Sequence, residues 1–166
     1  CSVTPTHLFY CDEDITTYNT NLKVIPPVRT KADRDALRAA VVDGTIDCIA
    51  SHHSPQDWDH KVCEFEYAEF GNIGLQTTYA TLEQTVPGLT PTQVSNLLSG
   101  NARQIFGLPM VSIEEGQAAE LTIFNRTATT TLTAQNNKSK SSNSAFMDMP
   151  LKGAVVATLH NEQITQ

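Results

Sequence analysis

Between Thr30 and Ser51 the chain spells a helix and then a buried strand, with only a tight turn between them. Thr30 can cap a helix whose first turn carries Asp33. Leu37, Ala40 and Val41 then form a narrow apolar stripe, and Asp43-Gly44 ends it. The run that follows, Thr45-Ile46-Asp47-Cys48-Ile49-Ala50-Ser51, is mostly apolar and β-branched and has the length of a strand covered on both faces. A helix that feeds a buried strand is the grammar of a parallel α/β fold.

The same grammar continues to Gly107 and then stops. Cys1-Ser2-Val3-Thr4 reads as strand, and Asn21 to Arg29 as a strand closed by the rigid pair Pro26-Pro27. Thr90-Pro91 opens a second helix through Val94, Leu97 and Leu98 to Gly100, with a further turn or short helix around Ala102 to Phe106. Beyond Gly107, Ala119 to Phe124 and Gly153 to Leu159 read as strands with no helix between them, which suggests an accessory β unit. Residues 126 to 145 are rich in Thr, Ser, Asn and Ala, hold no acid, and read as a solvated loop.

Charge and cysteine content narrow the partners. Eighteen acidic residues against 11 basic ones give a net charge of −7, a sign that repels nucleic acid and anionic membranes. No apolar run approaches the roughly 20 residues of a membrane span and the start carries no secretory signal, so the expected location is cytoplasmic. Cys1, Cys11, Cys48 and Cys63 show neither C-x-x-C pairing nor zinc-finger spacing and read as reduced thiols. A strand-like start at Cys1, without an initiating methionine, is what a segment of a longer chain would show.

Chemistry concentrates in Ser51 to His60, which places three histidines, two aspartates and the single tryptophan just past the expected buried strand. Parallel α/β folds build their sites at that end of a strand. His52 and His53 suit metal ligation or proton transfer, although adjacent histidines serve equally well as plain polar loop residues. Phe70-Gly71 and Gly74 form a bend where backbone can approach a ligand closely, or an ordinary turn.

In order and spacing these segments resemble the C-terminal portion of dihydroorotases of the multifunctional-complex type, in the amidohydrolase superfamily. Cys1 to Leu8 looks like C-E-V-T-P-H-H-L, Asn21 to Arg29 like N-L-K-V-N-P-P-L-R, and Asp43 to Ala50 like D-G-T-I-D-x-I-A. Phe70 to Thr77 is similar to F-G-I-V-G-L-E-T, Ser99 to Arg103 to the S-T-N-P-A-R region, and Glu115 to Leu121 to G-A-D-A-D-L. Lys138 to Phe146 and Leu151 to Thr158 are similar to the closing segments.

The resemblance implies an α/β fold: the C-terminal part of a (β/α)8 TIM-like barrel over residues 1–107, and part of a small β-sandwich over 108–166. It implies a zinc-dependent hydrolase that interconverts dihydroorotate and carbamoyl aspartate, with the metal ligands mostly on strands outside this chain. The family's D-H-A-P-H reads His52-His53-Ser54-Pro55-Gln56 here, so His52 takes the place of the metal-binding, proton-accepting aspartate and Gln56 that of a substrate-contacting histidine. Ile25 stands where a substrate-binding asparagine is expected, Thr6 replaces a histidine, Ser2 a glutamate, and Phe70 and Gly71 keep the family's pattern. The site this resemblance implies is therefore His52 as metal ligand or general base, with Ile25, Gln56, Phe70 and Gly71 around a small cyclic amide. Other readings are a noncatalytic subunit that supports aspartate transcarbamoylase, a homodimer among its assemblies, or a hydrolase of another cyclic amide.

Overall fold

A computed structural model describes residues 1–160 and 163–165. β1 (Ser2–Val3) and β2 (Cys48–Ile49) pair in parallel, Ser2 against Cys48 and Val3 against Ile49. Between them lie α1 (Pro5–Phe9), capped by Thr4, and α2 (Lys31–Asp43). α2 forms as its sequence dictates: Thr30 and Asp33 close a reciprocal capping box, and Gly44 takes the left-handed conformation that ends it.

The strand expected over 45–51 is ordered as strand only at Cys48–Ile49. Its partner β1 is two residues long, and the preceding amides are drawn elsewhere, Ile46 to Ala40 O and Asp47 to Cys1 O. The strand expected over 21–29 is absent. Thr20–Leu22 is a 3-10 turn, and the chain then passes through a cis Ile25-Pro26 bond.

A helix with no counterpart in the sequence reading, α3 (Thr78–Thr85), lies at the centre. Tyr79, Ala80, Thr81, Leu82, Glu83 and Thr85 are all buried, so it has no polar face to set a helical period. Tyr79 and Leu82 pack with Val3, Leu8, Ile49 and Val94 in one apolar cluster. α4 (Pro91–Ser95) carries the expected Thr90 cap and continues through a wider π segment, Asn96–Gly100, into α5 (Asn101–Ile105).

β3 (Leu121–Thr131), β4 (Pro150–His160) and β5 (Gln163–Thr165) form an antiparallel sheet in the order β3-β4-β5. The two strands expected here are present and longer than expected, β3 taking up the first third of the anticipated loop. The sheet lies against α3: Arg126 on β3 donates from Nε and an Nη to Glu83 Oε1 at 3.0 and 2.9 Å.

A second apolar cluster gathers Tyr10, Leu22, Val24, Val28, Phe146 and Leu151. Tyr10 donates its phenol to Ala145 O at 2.6 Å, and burial, reinforced by Asp14, pushes that phenol up to about 12. The unfolded value lies near 10. The folded state therefore holds the proton longer, and this contribution is complete below about pH 10 and lost as pH rises through about 12. We expect alkaline destabilisation on the order of 2 kcal/mol across that window. Denaturant midpoints of the wild type should show it, and those of Tyr10→Phe should be flatter.

Candidate active site

The C-terminal end of β2 opens into a cavity of about 340 Å³ lined by Thr4, Thr6, His7, Val24, Ile25, His52, His53, Ser54, Phe70, Gly71 and Asn72. His52, Ile25, Phe70 and Gly71 are thus brought to one place. Gln56 lines the neighbouring cavity instead, but its side-chain amide donates to Phe70 O at 3.0 Å and Ser54 Oγ at 3.3 Å. Its donors hold the pocket wall from behind.

His52 sits where the chain leaves β2, with φ +45°. Histidine is, with Asn and Asp, among the non-glycine residues found most often in this left-handed region, so the chain can turn here while it presents an imidazole. Its neighbour is tied down: His53 Nδ1 accepts from the Gly74 and Leu75 amides at 3.3 and 3.4 Å, which assigns its proton to Nε2. Gly74 is needed for this approach, since a Cβ there would lie 2.6 Å from Ser51 O.

His7 forms part of the floor. Its Nε2 lies 2.8 Å from Pro26 O, an acceptor only, so Nε2 carries the proton and Nδ1 accepts from Thr4 Oγ1 at 2.6 Å. Burial lowers its pKa against the Pro26 hydrogen bond, and His52 adds to the lowering. With both nitrogens engaged, His7 positions the loop after Ile25 and offers no lone pair to a metal.

The walls are joined by Asn143, in the stretch expected to be a solvated loop but only 5% exposed. Its Nδ2 donates to Ser54 O at 3.0 Å and Gly71 O at 3.2 Å, and its Oδ1 accepts from the Gln56 amide at 3.2 Å. Ala145-Phe146, an apolar pair closing a polar run, was the available sign that this segment turns inward. Asn72, also buried, donates to Thr6 Oγ1 at 3.1 Å, so the threonine that replaces a family histidine is a partner inside the scaffold.

No family model matches the chain. It is 34% identical over 167 residues to a dihydroorotase of Fusobacterium nucleatum, an alignment that takes in 99% of this chain and 39% of that protein. To a dihydroorotase of Lactiplantibacillus plantarum it is 39% identical over 163 residues, 96% of this chain and 38% of that protein.

The chain is dihydroorotase-like.

It spans about two fifths of the length of these relatives. The L-hydantoinase (dihydropyrimidinase) of Arthrobacter aurescens superposes on 99% of it with a TM-score of 0.85 at 24% identity, covering 38% of that structure. An inactive dihydroorotase-like domain of the Chaetomium thermophilum CAD-like multifunctional protein does so with a TM-score of 0.66 at 20% identity, covering 99% of this chain and 42% of that one. At these identities the likeness is one of fold. The dihydroorotase-like chain has the mixed α/β fold of the matching portion of these structures, the fold class the sequence led us to expect.

Proposed function

We propose that the chain forms one side of the active site of a cyclic-amide hydrolase that interconverts dihydroorotate and carbamoyl aspartate, with His52 as proton acceptor. The supporting observation is that His52, at the aspartate position of the family motif, stands at a left-handed turn past the end of β2 in the same cavity as Phe70 and Gly71. A neutral imidazole there can take a proton from attacking water and return it to the leaving amide nitrogen. Phe70 offers an apolar wall to the face of the substrate ring, and Ile25 contributes apolar contact where the family's amide hydrogen bond would be.

The ligand chemistry agrees with zinc in one respect only. Of the three pocket histidines, His7 has both nitrogens engaged and His53 its Nδ1, which leaves His52 as the free donor. Among the described residues the only three-residue group close enough to hold an ion is the exposed Asp57, Asp59 and His60, which does not line this pocket. The free nitrogen of His52 serves either as the base or as one ligand of a zinc site completed by residues of the longer protein, because an imidazole bound to a metal through one nitrogen carries its proton on the other. When bound, zinc supplies Lewis acidity and a water acidified toward neutral pH.

We assign residues 1–107 to the barrel and 108–166 to a β-sandwich, a division supported by the change to antiparallel sheet after α5. Exposed Phe106, Met110 and Ile113 at the join fit a surface covered by more of the same protein. No helix among the described residues is long and apolar enough to cross a membrane.

The second reading, a noncatalytic subunit that supports aspartate transcarbamoylase, draws on Gln56. Its amide donors are spent on the wall, and the residue does not line the pocket. Full-length protein, its zinc content and its His52 variants separate the two. We expect zinc and turnover in the wild type, a fall in kcat of about 100-fold or more in His52→Ala, and retained turnover in His52→Asp. Neither zinc nor turnover in the wild type would favour the noncatalytic subunit.

A further inference from the structure

We propose that Lys61 is the positioning residue for the Phe70–Gly71 wall of the pocket, a reading that rests on the hydrolase assignment above. Lys61 is 6% exposed, and among the described residues no carboxylate lies within ion-pair distance of it. A buried ammonium without a counter-ion is costly unless each of its donors finds an acceptor. Here each does: Nζ donates to Thr20 O at 2.7 Å, Glu69 O at 2.7 Å and Gly71 O at 3.1 Å.

Two of those carbonyls belong to the residues on either side of Phe70. Through Glu69 O the ammonium holds the peptide before Phe70, and through Gly71 O the peptide one residue beyond it. The Phe70–Gly71 peptide between them is held by Gln56 Nε2 on Phe70 O and by the Gly71 amide on Lys23 O. Bracketing the residue in this way fixes the direction in which its ring leaves the backbone. The third carbonyl anchors the clasp to the 3-10 turn at Thr20–Leu22, and Thr20 Oγ1 answers by donating to Lys61 O at 2.7 Å.

Neighbouring groups complete the hold. The Gly71 amide donates to Lys23 O at 2.9 Å, Lys23 Nζ donates to Glu66 O at 2.7 Å, and the same ammonium lies 4.9 Å from the centre of the Phe70 ring. Burial first, and then repulsion from Lys23, brings the Lys61 ammonium down to about 8 against the opposing influence of Cys63 and Glu69. With its donors saturated, Lys61 is a strut and not a nucleophile.

The test uses the full-length protein and two readouts. In Lys61→Met, amide exchange across residues 65–74 should quicken by about tenfold while α2 exchanges as in the wild type. KM for dihydroorotate should rise about tenfold or more with kcat within about threefold, the pattern of a displaced binding wall. Should Lys61→Met not fold, Lys61→Gln, one atom shorter with two amide donors, should show the same split at smaller size.

Unchanged exchange in the segment, or faster exchange with an unchanged KM, would overturn the proposal. A wild type that neither hydrolyses nor binds dihydroorotate would overturn the hydrolase assignment instead. The exchange result would then decide alone whether Lys61 holds the wall.

Discussion

Gly71→Ala is expected to destabilise the full-length protein by about 3 kcal/mol, the sum of a strained backbone and a steric overlap. Gly71 has φ +112°, outside the range that a β-carbon tolerates. A Cβ built there lies 2.5 Å from Ser54 Oγ and 2.6 Å from Ser54 Cβ. Rotating the Ser54 side chain moves its oxygen away but leaves Cβ in place. The Ser54 backbone cannot retreat either, because its amide donates to Asn72 O at 2.8 Å and its carbonyl accepts from Asn143. Denaturant midpoints measure the loss. Adding Ser54→Gly should recover the overlap, leaving the backbone strain of about 1–3 kcal/mol. A loss below about 1 kcal/mol for the single variant would mean that the two pocket walls are not in contact as described.

Phe146→Ala is expected to cost more, about 3–5 kcal/mol. The ring is 1% exposed, packed edge-on against Phe9 at 5.3 Å and tilted against Tyr10 at 5.4 Å, with Leu151 in the same cluster. Removing it forfeits the transfer energy of the ring and leaves a cavity under the segment that delivers Asn143. The pocket should therefore loosen along with the fold, and exchange at the Ser54, Gln56 and Ile73 amides should quicken together. Phe146→Leu, which keeps most of the volume, should cost about 1–2 kcal/mol. Equal costs for the two variants would remove packing as the reason.

Local signals survived into the structure where the elements that carry them are self-contained. α2 begins and ends where Thr30, Asp33 and Gly44 say it should, because capping chemistry lies within the residues that form the helix. Thr90 and Pro91 open α4 for the same reason. Elements that owe their form to distant partners were not legible. α3 is invisible to periodicity because Thr81, Glu83 and Thr85 are buried alongside Leu82. The strand after α2 is short because β1 offers it two residues.

The site divides the same way. His52, Ile25, Phe70 and Gly71 share a cavity and were found from the order of motifs, whereas Gln56 turned out to face their wall from behind. Lys61 and Asn143 were missed because their roles lie in hydrogen bonds to carbonyls far along the chain, and a carbonyl has no sequence signature.

Dihydroorotate turnover by the full-length wild type, run beside His52→Ala, tests the hydrolase assignment most directly. Equilibration of dihydroorotate with carbamoyl aspartate by the wild type, slowed about 100-fold or more in His52→Ala, is the expected result. Turnover that is unaffected by the loss of His52, or no turnover in a folded wild type supplied with zinc, would contradict it.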